Sequence, residues 1–252
     1  MSANPPPATA VAQPPLIAGG SRFNAAGRGV PMGNGWTWLA SAWSLFRPAA
    51  GTWIGMLLAL FVLAIVVYLV PFIGPLVMTV LWPVFIAGLM LAARSLEQRS
   101  EPKFSQLFAG FQARFGPLVL LGVVSLVISV AIIFAVVIVT GVQISTMPDP
   151  DALFVTKQLL LAILLISALL LPLVMATWFA PTLIALQDMG VGAAMKASFA
   201  GCLKNFLPFL LYGVITLVAS AIASVPLGLG WLVLLPLLFL SVYTGYRDIY
   251  FE

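Results

Sequence analysis

The sequence predicts an all-α polytopic membrane protein whose six transmembrane helices form three hairpin repeats. The first observation is where charge is missing. Four long stretches, Pro48–Ala93, Phe115–Pro148, Gln158–Gln187 and Asn205–Tyr246, contain no Asp, Glu, Lys or Arg. A charge at the centre of a spanning helix costs roughly 2.5–3.5 kcal/mol on insertion scales, so a bilayer accounts for this exclusion and a soluble fold does not. The second observation is composition. Of the 252 residues, 62% are hydrophobic and 7% charged, with mean hydropathy +1.15, whereas a soluble domain carries about 25% charged residues. The third is length: the uncharged stretches divide into segments of about 20 residues, matching a hydrocarbon core roughly 30 Å thick.

Residues 1–32 are rich in Pro, Ala and Gly, with Arg22 and Arg28 as their only charges. Such a segment has too little apolar surface to offset its chain entropy, which predicts a disordered cytoplasmic tail. It lacks the basic start and continuous apolar run of a secretory signal, so the first span is expected to act as its own insertion signal. Residues 33–252 form the membrane domain, with spans at about 51–70, 76–94, 117–140, 158–186, 207–225 and 231–246. The first stretch is long enough for two helices, broken where Pro71, Gly74 and Pro75 cluster. The last repeats this arrangement, with its break at Val225-Pro226-Leu227-Gly228-Leu229-Gly230. A polar connection, Val142–Thr156, joins the two middle spans and holds Asp149 and Asp151.

Basic residues set the expected orientation. Of the eleven Lys and Arg, all but Lys157 fall on the side that receives both termini and the second and fourth loops. The positive-inside rule then places both termini in the cytoplasm.

An internal repeat is expected. Phe108–Ser129 aligns without a gap on Phe199–Ser220, matching Phe108/Phe199, Ala109/Ala200, Gly110/Gly201, Phe115/Phe206, Pro117/Pro208, Gly122/Gly213 and Val123/Val214, among others. Apolar composition alone does not put Phe-Ala-Gly and Phe-x-Pro in register. Phe104, Phe108, Phe111 and Phe115 recur at helical spacing and predict one amphipathic stripe, echoed by Met195, Phe199, Cys202 and Phe206. A fainter copy is Leu39, Trp43, Phe46 and Ala50, flanked by Trp36 and Trp38. Each such helix precedes a span on the cytoplasmic side, where it lies in the headgroup region or packs on the bundle. Pro83, Pro181 and Pro236 sit inside the second helix of each hairpin, as hinges or as ordinary membrane-helix prolines. Small-residue pairs such as Gly51/Gly55, Gly88/Ala92, Ser125/Ser129, Ala176/Ala180 and Ser220/Ser224 could seat helix contacts.

Chemistry has little to work with. The chain has no histidine and one cysteine, Cys202, which excludes an internal disulfide and histidine-based or cysteine-based metal sites. Intramembrane ionisable groups, the usual marks of proton relays and ion sites, are missing from all six spans. No catalytic, cofactor-binding or metal-binding residue and no cofactor is expected. The net charge of +4 comes from basic residues scattered singly between spans, so nucleic acid is not an expected partner. Glu97, Arg99, Glu101 and Lys103 alternate in sign and read as a solvated loop. Arg47, Arg94, Arg114, Lys204 and Arg247 are placed to meet anionic headgroups.

The run Gly35-Trp36-Thr37-Trp38, then Ala42-Trp43-Ser44-Leu45-Phe46-Arg47 and Trp53-Ile54-Gly55, resembles the opening of an uncharacterised family of proteobacterial six-span inner-membrane proteins. The likeness continues through Gly88-Leu89-Met90-Leu91-Ala92, Leu107-Phe108-Ala109-Gly110-Phe111 and Tyr246-Arg247-Asp248-Ile249. It implies a bacterial inner-membrane protein and brings no activity or site residues with it. Mitochondrial carriers are similar in architecture, with three hairpins and repeat-specific prolines. Their Pro-x-(Asp/Glu)-x-x-(Lys/Arg) signature is absent here, and the prolines fall on the even-numbered helices.

Two function classes follow. The first is a non-catalytic protein that organises or assembles membrane components or interacts with lipid, with membrane lipid and other membrane proteins as partners. The alternative is a small-solute transporter or channel without an intramembrane proton-coupling residue. Its polar lining would be Thr79, Ser125, Ser129, Thr177, Thr182, Thr216, Ser220 and Gln187. An intramembrane enzyme fits least, because the spans hold no acid or base. The oligomeric state is left open.

Overall fold

The computed structural model describes residues 22–140 and 152–252, with backbone alone for 152–156. Ten α-helices are described: α1 (Asn34–Phe46), α2 (Ala50–Tyr68), α3 (Ile73–Glu97), α4 (Gly110–Ala113), α5 (Phe115–Thr140), α6 (Ala152–Trp178), α7 (Ala180–Gln187), α8 (Val191–Lys204), α9 (Phe206–Ser224) and α10 (Trp231–Tyr250). Six helical segments are long and apolar enough to cross a membrane, and they coincide with the expected spans. The predicted breaks at Pro71–Pro75 and Val225–Gly230 are the α2–α3 and α9–α10 turns. Of the expected connection at Val142–Thr156, residues 142–151 lie outside the described residues, as does the tail before Arg22; residues 152–156 are not a loop but the start of α6.

α3 is the central element, packing on α2, α5, α7 and α10, while α10 also packs on α1, α2 and α9. Its inward face of Phe85, Leu89, Met90, Ala92 and Ala93 is fully covered. α5 and α6 form the most outward pair, with Val127, Phe134, Ile138 and Leu164 exposed, as a lipid-facing surface requires. The α3–α5 crossing is tight because Gly122 lets α5 approach the Val80 carbonyl, which a Cβ there would overlap. Gly88 admits the Leu107 carbonyl in the same way, so the Gly88/Ala92 pair is a contact; Gly51 faces open space and is not.

Three expectations need correction. Residues 22–32 are not a disordered tail. Arg22 and Glu252 exchange backbone hydrogen bonds at 3.0 and 3.2 Å, and the Asn24 amide reaches the Tyr250 carbonyl at 2.8 Å. Phe23 packs on Tyr250 and Phe251. Composition does not report this, because the partners lie more than two hundred residues away.

The Phe104–Phe115 stripe is not one helix. Phe104–Phe108 forms a 3-10 segment, α4 is a single turn, and Arg114 breaks the chain before α5. The aligned segment, α8, is continuous. In both, one broken residue (Arg114 or Asn205) is followed by Phe-x-Pro at the start of a span. The covered face of α1 differs in part from expectation: Phe46 of the expected stripe is buried, but so are Trp38, Ala42 and Leu45, whereas Trp43 is exposed. Trp38 wins because Gly35 and Gly245 leave room for α1 to lie on α9 and α10.

Candidate functional site

A cavity of about 850 Å³ lies among α2, α3, α5, α6, α7, α9 and α10, within the 300–1,000 Å³ range of small-molecule sites. α6 and α9 both line it and meet through Trp178, whose ring lies 5.9 Å from that of Phe209. Its surface is mainly aliphatic and aromatic, including Trp82, Trp178, Phe239, Leu121 and Leu217. Pro83 and Pro181 both line it. Pro83 lies inside α3, and Pro181 stands in the first turn of α7, just after the break at Phe179. Pro236 is buried in α10 and does not line the cavity.

Of the eight residues expected as polar lining, Thr79, Ser125, Thr177, Thr216 and Ser220 are in the wall. Each hydroxyl donates back to its own helix: to the carbonyls of Pro75, Leu121, Leu173, Gly213 and Thr216, at 2.7–3.1 Å. In an apolar interior this satisfies the donor locally and leaves little polarity for a ligand. Tyr212 meets Ser241 at 2.7 Å. Ser129 and Gln187 lie elsewhere, and Thr182 is buried with no partner for its hydroxyl among the described residues. Among the described residues, no Asp, Glu, Lys or Arg lines the cavity.

A polar layer closes the bundle one to two turns beyond the cavity, on the side of the termini. Arg247 and Glu97 form an ion pair, with Nε 3.0 Å from Oε1 and both side chains 17% exposed. Tyr243 donates to the other Glu97 oxygen, Gln187 Nε2 donates to the Tyr246 hydroxyl at 2.7 Å, and the Arg247 guanidinium lies 3.9 Å over the Phe251 ring. Glu97 is therefore an inward-facing partner at the end of α3 rather than part of a solvated loop. Charge alternation along the loop hid this, because the opposing charge comes from α10.

Asp248 collects a second set of donors: Asn34 Nδ2 at 2.7 Å, Trp38 Nε1 at 2.8 Å and Arg28 at 3.1 Å. Asn205, fully buried, accepts the Val30 amide and donates to the Arg28 and Gly201 carbonyls. Lys204 reaches the carbonyls of Ala26 and Gly27. Of the five cations expected at headgroups, Arg114, Lys204 and Arg247 are thus committed within the protein, Arg114 to Asp188 at 2.9 Å. Arg47 and Arg94 are exposed. Cys202 on α8 is buried, and burial pushes its thiol up to about 12, against a smaller opposing effect of the Ser198 hydrogen bond. A thiol so placed is unreactive. Among the described residues, no group of three or more His, Cys, Asp or Glu could hold a metal.

Comparison with known proteins bears on class. A protein of Burkholderia thailandensis described as a probable inner membrane protein is 27% identical over 244 aligned positions, covering 84% of this chain and 89% of that relative. With six spanning helices and near end-to-end similarity to such a protein, the class is settled. This is a multi-pass membrane protein. No family model matches the chain. No solved structure matches it.

Proposed function

We propose that this chain is a non-catalytic protein of the bacterial inner membrane that organises or assembles membrane components by holding lipid, with both termini cytoplasmic. The observation that carries this reading is the cavity: about 850 Å³, walled mainly by apolar side chains and, among the described residues, lined by no Asp, Glu, Lys or Arg. Its serine and threonine donors are already used within their own helices, so an entering group gains mostly from apolar burial. An acyl chain fits that chemistry; a hydrated ion or polar metabolite would lose its water without replacement. The basic residues on the side of the termini support the orientation. The three short cytoplasmic-side segments before α2, α5 and α9 support the repeat reading, with their exposed aromatics (Trp43, Phe104, Phe108, Phe115 and Phe206) set towards headgroups.

Gly213 lines the cavity, and a Cβ there would meet nothing within 4 Å. Gly213→Trp should therefore fill the space without moving the backbone. Native mass spectrometry of the purified protein should find retained phospholipid in the wild type and a marked loss in the variant. Equal retention in both would count against the cavity as a lipid site. The transporter or channel alternative draws on Pro83 and Pro181 meeting at one cavity. Solute or ion flux in proteoliposomes, blocked by Gly213→Trp, would favour it instead.

A further inference from the structure

The two hairpin tips on the side opposite the termini contain no hydrogen-bonding side chain. One runs Leu69-Val70-Pro71-Phe72-Ile73-Gly74-Pro75-Leu76 and the other Val225-Pro226-Leu227-Gly228-Leu229-Gly230. Turns that meet water normally carry Asn, Asp, Ser or charge. Here the apex residues are large and apolar, Phe72 being 87% and Leu227 98% exposed. Both have left-handed backbones, with φ of 62° and 53°. Glycine or asparagine is the economical choice at such a position. A bulky side chain retained there needs an apolar surrounding to compensate, and the protein itself provides none.

Most of the backbone of both tips is also prepared for a dry setting. The amides of Leu69, Val70, Ile73 and Gly74 bond carbonyls of the first tip or of the helix turn before it, and those of Val225, Leu227, Gly228 and Leu229 do the same at the second; those of Phe72 and Gly230 have no partner among the described residues. Pro71, Pro75 and Pro226 have no amide to satisfy. The Trp231 indole, which at a wet interface would meet water or headgroups, donates to Ser224 Oγ at 3.1 Å. Internal satisfaction of backbone groups is what hydrocarbon demands.

Helix lengths place the tips at the right depth. From Arg94 to Ile73 α3 rises about 32 Å, and α9, Phe206–Ser224, rises about 27 Å, close to the roughly 30 Å of a hydrocarbon core. α5, Phe115–Thr140, rises about 38 Å. The exposed surface of α2 (Phe61, Val62, Ile65, Val66) runs into the first tip without interruption, and that of α9 (Leu217, Val218, Ile222) runs into the second. The tips continue the lipid-facing surface.

We propose that both tips lie among the acyl chains of the far leaflet, beneath its headgroups, so that neither is offered to water or to a soluble partner on that side. This placement is independent of what occupies the cavity.

The test uses the full chain in nanodiscs of phosphatidylethanolamine and phosphatidylglycerol, which leave both membrane faces open. Phe72→Cys, Leu227→Cys and, should the apex variants misfold, Leu229→Cys carry an NBD fluorophore. Ser100→Cys, in the exposed loop after α3, is the aqueous reference, and buried Cys202 stays silent. The tip probes should be quenched by doxyl-labelled lipid and severalfold less than Ser100 by iodide. Iodide quenching equal to that at Ser100 would put the tips in water and overturn the proposal. Protection from both quenchers would mean that protein covers them, which overturns it equally.

Discussion

Ser198 on α8 occupies the gap between Phe179 and the helix before it: its Oγ accepts the Phe179 amide at 2.9 Å and donates to the Met175 carbonyl at 2.7 Å. An uninterrupted helix would join those two backbone groups directly. The hydroxyl stands between them, and α6 ends as α7 begins. Insertion of a side chain into the helical ladder is a recognised cause of a kink, and Pro181 adds another by withholding an amide.

Ser198→Ala should leave both groups unsatisfied in a fully buried setting, at a cost of about 1–3 kcal/mol. At roughly 2–4 °C per kcal/mol, the melting temperature in detergent should fall by several degrees. Ser220→Ala is the matched control, since that hydroxyl only returns to its own helix at Thr216. An equal shift for both variants would contradict the bridging role.

Glu97 is held by Arg247 and Tyr243 in a mostly covered site. Glu97→Gln keeps the shape and removes the charge opposite Arg247. Breaking a buried pair from one side costs about 3–5 kcal/mol, and the residual exposure places this pair at the lower end. Glu101→Gln, in the exposed loop, should stay within about 0.5 kcal/mol. Thermal unfolding of the two variants side by side checks this.

The strap at residues 22–32 depends on Asn205 and Asp248. Asp248→Ala removes the acceptor shared by Arg28, Asn34 and Trp38, and Asn205→Ala removes the bonds to Val30 and Arg28. Both should speed tryptic cleavage after Arg28 while the membrane core remains resistant, because cleavage follows local opening. Cleavage rates equal to wild type would mean that the strap is held by other contacts.

Cys202 offers a pH test. Its folded thiol lies at about 12 against an ordinary 9.0, so the neutral form is favoured by folding. The associated stability is present below about pH 9 and declines as pH rises towards 12. Native protein should resist maleimide between pH 7 and 9 and react once unfolded in dodecyl sulfate. Rapid labelling of the folded protein would place the thiol at an exposed surface.

How much of this was legible in advance depends on distance along the chain. The spans and their breaks were local properties, written in missing charge and in Pro71, Pro75 and Pro226, and the structure follows them closely. Five of the eight expected hydroxyl residues reach the cavity wall, because helical spacing and a common depth bring them together. The partners of Glu97, Asp248 and Asn205 come from elements far away in sequence, and no periodicity announces them. The covered face of α1 was missed for a related reason. The sequence pointed to the stripe of Leu39, Trp43, Phe46 and Ala50 with Trp38 only flanking it, and it is the glycine-lined seat at Gly35 and Gly245 that selects Trp38.

The cavity makes a strong statement about energy coupling. Proton-driven transport needs a group that changes charge while it changes exposure, and ionisable side chains inside membranes usually mark such paths. Among the described residues the cavity is lined by no Asp, Glu, Lys or Arg, and the chain has no histidine. Glu97 lies beyond the cavity's end, where Arg247 and Tyr243 engage it. Purified protein in liposomes should therefore show no solute uptake when a pH gradient is imposed, with or without a membrane potential. Gradient-dependent uptake abolished by an uncoupler would reverse this conclusion. If Glu97→Gln then removed that uptake while the protein stayed folded, the Glu97–Arg247 pair would have to open into the cavity during transport.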